Sequence, residues 1–434
     1  GAPSVFYHLL SESEETLGIF VDLSSRSQLF IDTLRCRPDI FDELVDCLLT
    51  GYTFDRESLF AQVDAIRDRG GDLLREAFFI KHLHRLLTLV RDLEGGERLR
   101  VTLRRYSDTA EAILRAVLLA VGAEHEARFG RFAAAAPPFV VLGLGKLGGR
   151  EMSLRSDVDL VFLYDAGDEP VTDRGIGVRE WYERLAQSVL DRCRTSDALG
   201  PLIEIDARLR PLGAQNTLAV SYGAFRAHFL ESKAETWERQ AFMRARLVAG
   251  DVELGARVIE FIRRALVLGG EAGPPNADAI RRDVAEMRRK LEENAPRGDL
   301  KRGPGGIMDI EFLVQCLQLI HGGEHPEILD PNTAVSLERM QATGILPAGE
   351  ALELLASYRF LRWIENRTAI VTDASVPLES MDPAEIEMII AKIGYRSSGE
   401  VQASRIFLEE LDYHLGRNRR ALDRVLRAED ESAR

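Results

Sequence analysis

The 434-residue chain is poor in the residues that build soft-metal sites and disulfide frames. Its four cysteines, Cys36, Cys47, Cys193 and Cys316, lie far apart and form no CxxC pair. That spacing argues against a zinc ribbon or a disulfide scaffold and reads as free thiols in a reducing cytosol. Eight scattered histidines offer no metal cluster. No apolar run is long enough to span a membrane, and the first residues lack the basic, then apolar, then small pattern of a leader. The expected location is therefore cytoplasmic, with no membrane partner. Positive charge is in deficit: 56 Lys and Arg stand against 70 Asp and Glu, a net charge of −14. A general nucleic-acid binder shows the opposite balance, so no nucleic-acid partner is expected.

What is present is mainly helical periodicity. Arg56–Leu93 and Ala110–Phe129 repeat apolar residues at three- and four-residue spacing. The loop signals Arg69-Gly70-Gly71 and Glu94-Gly95-Gly96 cut this region into separate helices. Residues 1–131 are expected to form an N-terminal helical region. After Pro137-Pro138 the texture changes. Strands are expected at Phe139–Leu142, Asp157–Tyr164 and Leu202–Arg210, with a helix at Val178–Arg194 and further helices from Tyr222 to Leu268. Residues 132–268 thus form the mixed domain. Gly269–Pro275 reads as a linker, and residues 276–434 as a C-terminal helical bundle that opens on Ala277–Asn294. Trp363, Phe360 and Leu361 read as its core. The fold class is α+β, predominantly helical.

The chemistry concentrates in one stretch. Gly143-Leu-Gly-Lys-Leu-Gly-Gly-Arg150 is a Gly-rich turn, followed by Ser156-Asp-Val-Asp-Leu-Val-Phe162. Side chains alternate along a strand, so Asp157 and Asp159 share one face and Val158, Leu160 and Phe162 the other. Two neighbouring carboxylates repel, and an oxygen-liganded divalent cation relieves the cost. Magnesium fits, because it accepts few carboxylates and completes its shell with phosphate oxygens. On the third expected strand Glu204, Asp206, Arg208 and Arg210 share a face. Asp206 is expected beside Asp157 and Asp159, giving three catalytic, metal-binding carboxylates that can hold two ions. Gly145, Gly148 and Gly149 let the backbone approach a phosphate, Ser156 adds a hydroxyl, and Lys146, Arg208 and Arg210 add positive charge. These seven are the expected nucleotide-binding residues. The same glycines match a dinucleotide-binding fingerprint, but Arg150–Ser156 is too short for the crossover helix which that reading needs. A solvated edge strand with capping aspartates is the bland alternative.

These motifs resemble a known family. Residues 145–151, 156–162 and 206–211, together with Trp237–Arg246, Lys301–Ile307 and Asp309–Gln315, are similar to glutamine synthetase adenylyltransferase, a bifunctional adenylylating and adenylyl-removing enzyme. The resemblance implies a nucleotidyltransferase domain with a DNA polymerase β-like palm, flanked by helical domains. It implies magnesium, ATP as substrate, glutamine synthetase as protein substrate and PII-type signal proteins as partners. It also implies that Asp157 and Asp159 are metal ligands and Asp206 the third acid. The chain holds one of the enzyme's two modules. The wording of 205–211 and 236–240 is closer to the half that transfers AMP from ATP to a tyrosine. Phosphorolytic removal of AMP, releasing ADP, is the alternative, and a non-catalytic regulatory helical module is a third. Arg244 and Arg246 are expected two apart on a helix, either behind the phosphates or on a solvated face. Gly303–Gly306 reads as a helix-capping turn, with Lys301 a candidate phosphate contact.

Overall fold

The structure, a computed structural model, describes residues 14–94, 98–167, 170–206, 217–231, 234–268, 276–372, 383–398 and 402–427. The N-terminal periodicity is realised as α1 (Glu14–Arg26), α2 (Gln28–Cys36), α3 (Ile40–Leu49), α4 (Arg56–Asp68), α5 (Leu73–Leu93) and α6 (Leu99–Phe129). The starts of α4 and α5 follow capping chemistry. Asp55 accepts the Ser58 amide at 2.9 Å while the Ser58 hydroxyl accepts the Asp55 amide at 3.0 Å. Asp72 accepts the amides of Leu74 and Arg75 at the start of α5. Each such cap satisfies amides that have no partner within the helix. The 31-residue α6 packs against α4 and α5 and buries residues on several faces.

The mixed part follows. It consists of β1 (Phe139–Gly143), a short helix α7 (Gly145–Gly148), β2 (Val158–Tyr164), α8 (Val178–Cys193), β3 (Ser196–Asp197), β4 (Gly200–Pro201), β5 (Ile205–Asp206) and β6 (Ala219–Ser221). Then come α9 (Tyr222–Leu230), α10 (Thr236–Met243), β7 (Arg246–Gly250) and α11 (Val252–Leu268). The sheet runs β5-β2-β1-β7, with β6 also on β2. β1 is antiparallel to β2 and β7, while β5 and β6 lie parallel to β2. All five residues of β1 are buried, which explains its unbroken apolar sequence. Phe139, Phe162, Tyr164 and Tyr182 stack with centroids 4.9–6.1 Å apart, clamping α8 onto the sheet. Burying a ring or branched side chain of this kind contributes about 1.5–3 kcal/mol.

Two sequence expectations change here. The helical reading of Tyr222–Leu268 missed β7, which replaces helix directly after the Trp237–Met243 segment. Arg244 therefore caps α10 and Arg246 opens a strand, so the two do not share a helix. The third strand is described only at Ile205–Asp206; Ala207–Arg210 lies outside the described residues, as do Gly95-Gly96, the Gly269–Pro275 segment and Pro377. The four cysteines are free thiols, with Cys36 alone exposed. No helix among the described residues is long and apolar enough to cross a membrane.

The chain divides into two compact units: residues up to Phe225 with Arg246–Val258, and Arg226–Ala245 with Ile259 onward. The second unit holds α12 (Ala277–Glu293), α13 (Ile307–His321), α14 (Thr333–Ala342), α15 (Ala348–Thr372), α16 (Pro383–Ile393) and α17 (Ala403–Arg427). Leu361 is fully buried in α15, whereas Phe360 and Trp363 are half-buried. The Arg302–Gly306 turn is tied down from three helices. Arg288 on α12 donates to the carbonyls of Arg302 and Gly303 and pairs with Asp309 on α13 at 2.5 Å. Asp309 accepts the Gly305 amide at 2.8 Å, and Asn418 on α17 donates to the Gly305 carbonyl. Gly305 has φ +74°, and a Cβ there would overlap the Leu415 carbonyl, so the turn needs glycine at this point. Gly306 is the N-cap of α13, so these glycines serve a capping turn.

Arg288 and Asp309 are both buried, and removing one leaves the other with only a longer ion pair, Arg288 to Glu292 at 3.6 Å or Asp309 to Arg419 at 3.3 Å. Asp309→Asn is expected to cost about 3–5 kcal/mol in urea unfolding. A loss below about 1 kcal/mol, the range of a solvated pair, would refute this account of the turn.

Candidate active site

The site begins where β1 ends. Gly143 pairs with Leu160 of β2, and the Leu144 amide donates to the Asp159 carbonyl at 3.0 Å. The chain then curls into α7. The turn is closed by its own amides: Gly148 donates to the Leu144 carbonyl, Gly149 to Gly145, Arg150 to Leu147 and Glu151 to Lys146. The Gly148 and Gly149 amides are thus spent inside the turn. The glycine that matters for close approach is Gly145, at φ +50°. A Cβ there would overlap Oδ2 of Asp159, so the backbone lies directly on that carboxylate. Left-handed backbone recurs at Arg150, φ +54°, a position where a side chain is strained.

A buried ionic latch fixes the turn. Arg246 grips the carbonyls at the end of α7, donating to Leu147 O at 2.8 Å, which also accepts the Arg150 amide, and to Gly148 O at 3.0 Å. The same guanidinium pairs with Glu111 of α6 at 2.5 Å. Glu111 is completely buried and also accepts from Arg56 of α4 at 2.6 Å. Arg246 therefore positions the turn. Arg244 pairs with Glu311 at 2.8 Å.

The carboxylates fall as follows. β5 runs parallel to β2 with Val158 opposite Ile205 and Asp159 opposite Asp206. Asp159 and Asp206 are half-buried neighbours at one register position, and Asp157 stands exposed just before β2. Among the described residues no group of three His, Cys, Asp or Glu side chains is assembled to hold a metal ion. The pair of Asp159 and Asp206 is what the sheet itself brings together. Their donor set is all oxygen, both side chains are acids, and the backbone of Gly145 lies against Oδ2 of Asp159. Those properties fit a small hard divalent cation. Ser156 turns back on its own loop, its Oγ 2.9 Å from both the amide and the hydroxyl of Ser153. Lys146 is half-exposed on α7. Arg208 and Arg210 lie outside the described residues.

Sequence reasoning missed Glu111, the positioning role of Arg246, and Asp108. A lone glutamate on a long helix carries no signal that two arginines converge on it. Asp108, one turn before Glu111, is buried, and its pKa is pushed up to about 6 by that burial and by Glu111. Its folded pKa exceeds the usual 3.8, so its stabilising contribution is present below that value and is lost as pH rises through 6. Asp108→Asn is expected to raise the melting temperature at pH 7.5 and to flatten the wild-type decline between about pH 4 and 6. An unchanged pH profile in the variant would contradict this assignment.

A family model described as glutamate-ammonia ligase adenylyltransferase matches residues 17–260, more than half of the chain. A second, described as GlnD PII-uridylyltransferase, matches residues 278–426. The curated relatives are named bifunctional glutamine synthetase adenylyltransferase/adenylyl-removing enzyme. The one from Thioalkalivibrio sulfidiphilus is 36% identical over 86% of this chain and 40% of its own length. That from Xanthomonas axonopodis pv. citri is 34% identical over 70% of this chain and 32% of its own. That from Nitrosomonas europaea is 27% identical over 98% of this chain and 46% of its own. The chain thus spans less than half the length of these relatives. The match over residues 17–260 and these relatives show that the chain belongs to the glutamate-ammonia ligase adenylyltransferase family of nucleotidyltransferase enzymes, of which it is a single module.

Proposed function

We propose that this module transfers AMP from ATP to a tyrosine hydroxyl of glutamine synthetase, with Asp157, Asp159 and Asp206 as the catalytic acids. The observation that carries the reading is the register of β2 and β5, which sets Asp159 beside Asp206 with Gly145 against the Asp159 carboxylate. In this reading the sheet is the nucleotidyltransferase palm. The tyrosine oxygen forms the new bond to the α-phosphorus, and the bond to pyrophosphate breaks. Such transfer needs positioning and charge neutralisation more than covalent help from the protein. A magnesium ion held by Asp159 and Asp206, with Asp157 joining from the strand start, would supply the neutralising charge. Gly145 and α7 set the phosphates over the carboxylates, and Lys146, Arg208 and Arg210 offset their charge. Gly148 and Gly149 contribute through the shape of the turn, and Ser156 by bracing the loop before Asp157.

The transferring direction is favoured by the wording of Ile205–Pro211 and Thr236–Gln240. PII-type signal proteins are the proposed regulators, in keeping with the name of the model matched by residues 278–426. A cytoplasmic location follows from the proposed target and suits the free thiols.

The test uses ATP labelled at the α-phosphate, magnesium and unmodified glutamine synthetase. The wild-type chain is expected to label the target. Asp159→Asn should cut the rate by about a hundredfold or more while melting at the wild-type temperature. Gly145→Ala should cut it too, because its Cβ displaces the Asp159 carboxylate. The reading fails if no label is transferred while a full-length relative labels the same target, or if Asp159→Asn keeps its rate. Release of ADP from adenylylated target and phosphate, without forward labelling, would reassign the module to AMP removal.

A further inference from the structure

Helix α5 carries two buried titratable side chains that the catalytic reading does not use, the consecutive Lys81 and His82. Their neighbours along the helix, Ile80, Leu83, Leu86 and Leu87, are buried apolar residues, so packing alone would be served by another of that kind. Burying a polar group is costly unless it is hydrogen-bonded, and both of these are. Lys81 Nζ donates to the Pro201 carbonyl at 2.6 Å and to the Gly200 carbonyl at 3.4 Å. His82 Nε2 lies 2.6 Å from Oδ2 of Asp197. Burial holds the imidazole's pKa down at about 4, so the ring is neutral and its Nε2–H donates to the carboxylate. The other oxygen of Asp197 accepts the Leu199 amide at 2.9 Å. Asp197 belongs to β3, and Gly200 and Pro201 form β4, so α5 holds both strands of this hairpin.

From the hairpin to the acids the chain has no slack. The Leu202 and Ile203 amides donate to the Thr195 and Cys193 carbonyls at 2.8 and 2.9 Å. The Glu204 carbonyl accepts the Val158 amide at 2.9 Å. Ile205 then pairs with Val158, and Asp206 with Asp159. Each residue from Gly200 to Asp206 is thus tied by a hydrogen bond or a strand pairing, and a shift of β4 passes along the chain to Asp206. We propose that Lys81 and His82 are positioning residues for the acids: their grip on the β3–β4 hairpin holds the β2–β5 register that places Asp206 beside Asp159. Both act through the hairpin. Their effect on rate rests on the transfer reading, whereas their effect on register does not.

The test uses the full chain and three variants. Lys81→Met and His82→Leu keep side-chain bulk without the donor, and His82→Gln has a side-chain amide that donates in place of Nε2. Hydrogen exchange of the Val158 amide, the donor to Glu204, reports the register without any turnover. Lys81→Met and His82→Leu are each expected to speed it about tenfold relative to the amides of the β1–β2 ladder, while His82→Gln keeps the wild-type rate. In label transfer the first two variants should lose about tenfold or more in kcat with KM for ATP within about twofold, and His82→Gln should restore kcat. Unchanged Val158 exchange in both Lys81→Met and His82→Leu overturns the inference. So does acceleration spread equally through β1 and β2, wild-type kcat in both variants, or His82→Gln behaving as His82→Leu does. Because exchange needs no turnover, a wild-type chain that transfers no label overturns the transfer reading alone.

Discussion

The candidate site depends on one buried carboxylate. Glu111 has no access to water and faces two guanidiniums, Arg56 at 2.6 Å and Arg246 at 2.5 Å. An ion in such a place is tolerable only while its partners stay, since breaking a buried pair typically costs about 3–5 kcal/mol. The latch therefore resists opening. It ties α4 and α6 of the helical region to β7 at the far side of the sheet. Because Arg246 also grips Leu147 O and Gly148 O, the latch fixes the end of the Gly-rich turn as well. The turn in turn fixes Gly145, and Gly145 fixes the backbone over the Asp159 carboxylate. Helices that look remote in sequence thus set the geometry of the acids.

The acids are placed by strand register. Asp159 and Asp206 sit at matched positions of parallel strands, half-buried and of like charge. In the proposed function a divalent cation would be drawn to that pair. Beside the turn, surrounding structure holds Arg150 in strained, left-handed backbone. The second unit uses a related device for another purpose, with Arg288 and Asp309 buried together to hold a capping turn.

Much of this was legible in the residues. β1 and β2 read clearly because Pro137-Pro138, the glycines and Asp165 bracket short apolar runs. Their antiparallel pairing follows from the short link between them, which also removed the dinucleotide-fold reading. The place of Asp206 beside Asp159 came from alternation on two strands. β7 was not legible, because Leu247, Val248 and Ala249 suit a helix as well as a strand and no breaker separates them from α10. Which glycine is indispensable could not be told either. Three of them fit a phosphate turn on paper, but the left-handed positions went to Gly145 and Arg150, and the Gly148 and Gly149 amides closed the turn on itself. Arg246 read as either a phosphate backup or a residue of a solvated helix face, because a sequence shows its charge and not the buried Glu111 that claims it.

We propose that the β2–β5 register, which sets Asp159 beside Asp206, creates the catalytic centre. A crystal structure with a non-hydrolysable ATP analogue and manganese tests it most directly. The account predicts anomalous density between the Asp159 and Asp206 carboxylates, in contact with phosphate oxygens, next to the Gly145 backbone. Manganese bound elsewhere, with Asp159 and Asp206 unliganded while the nucleotide is bound, would contradict it.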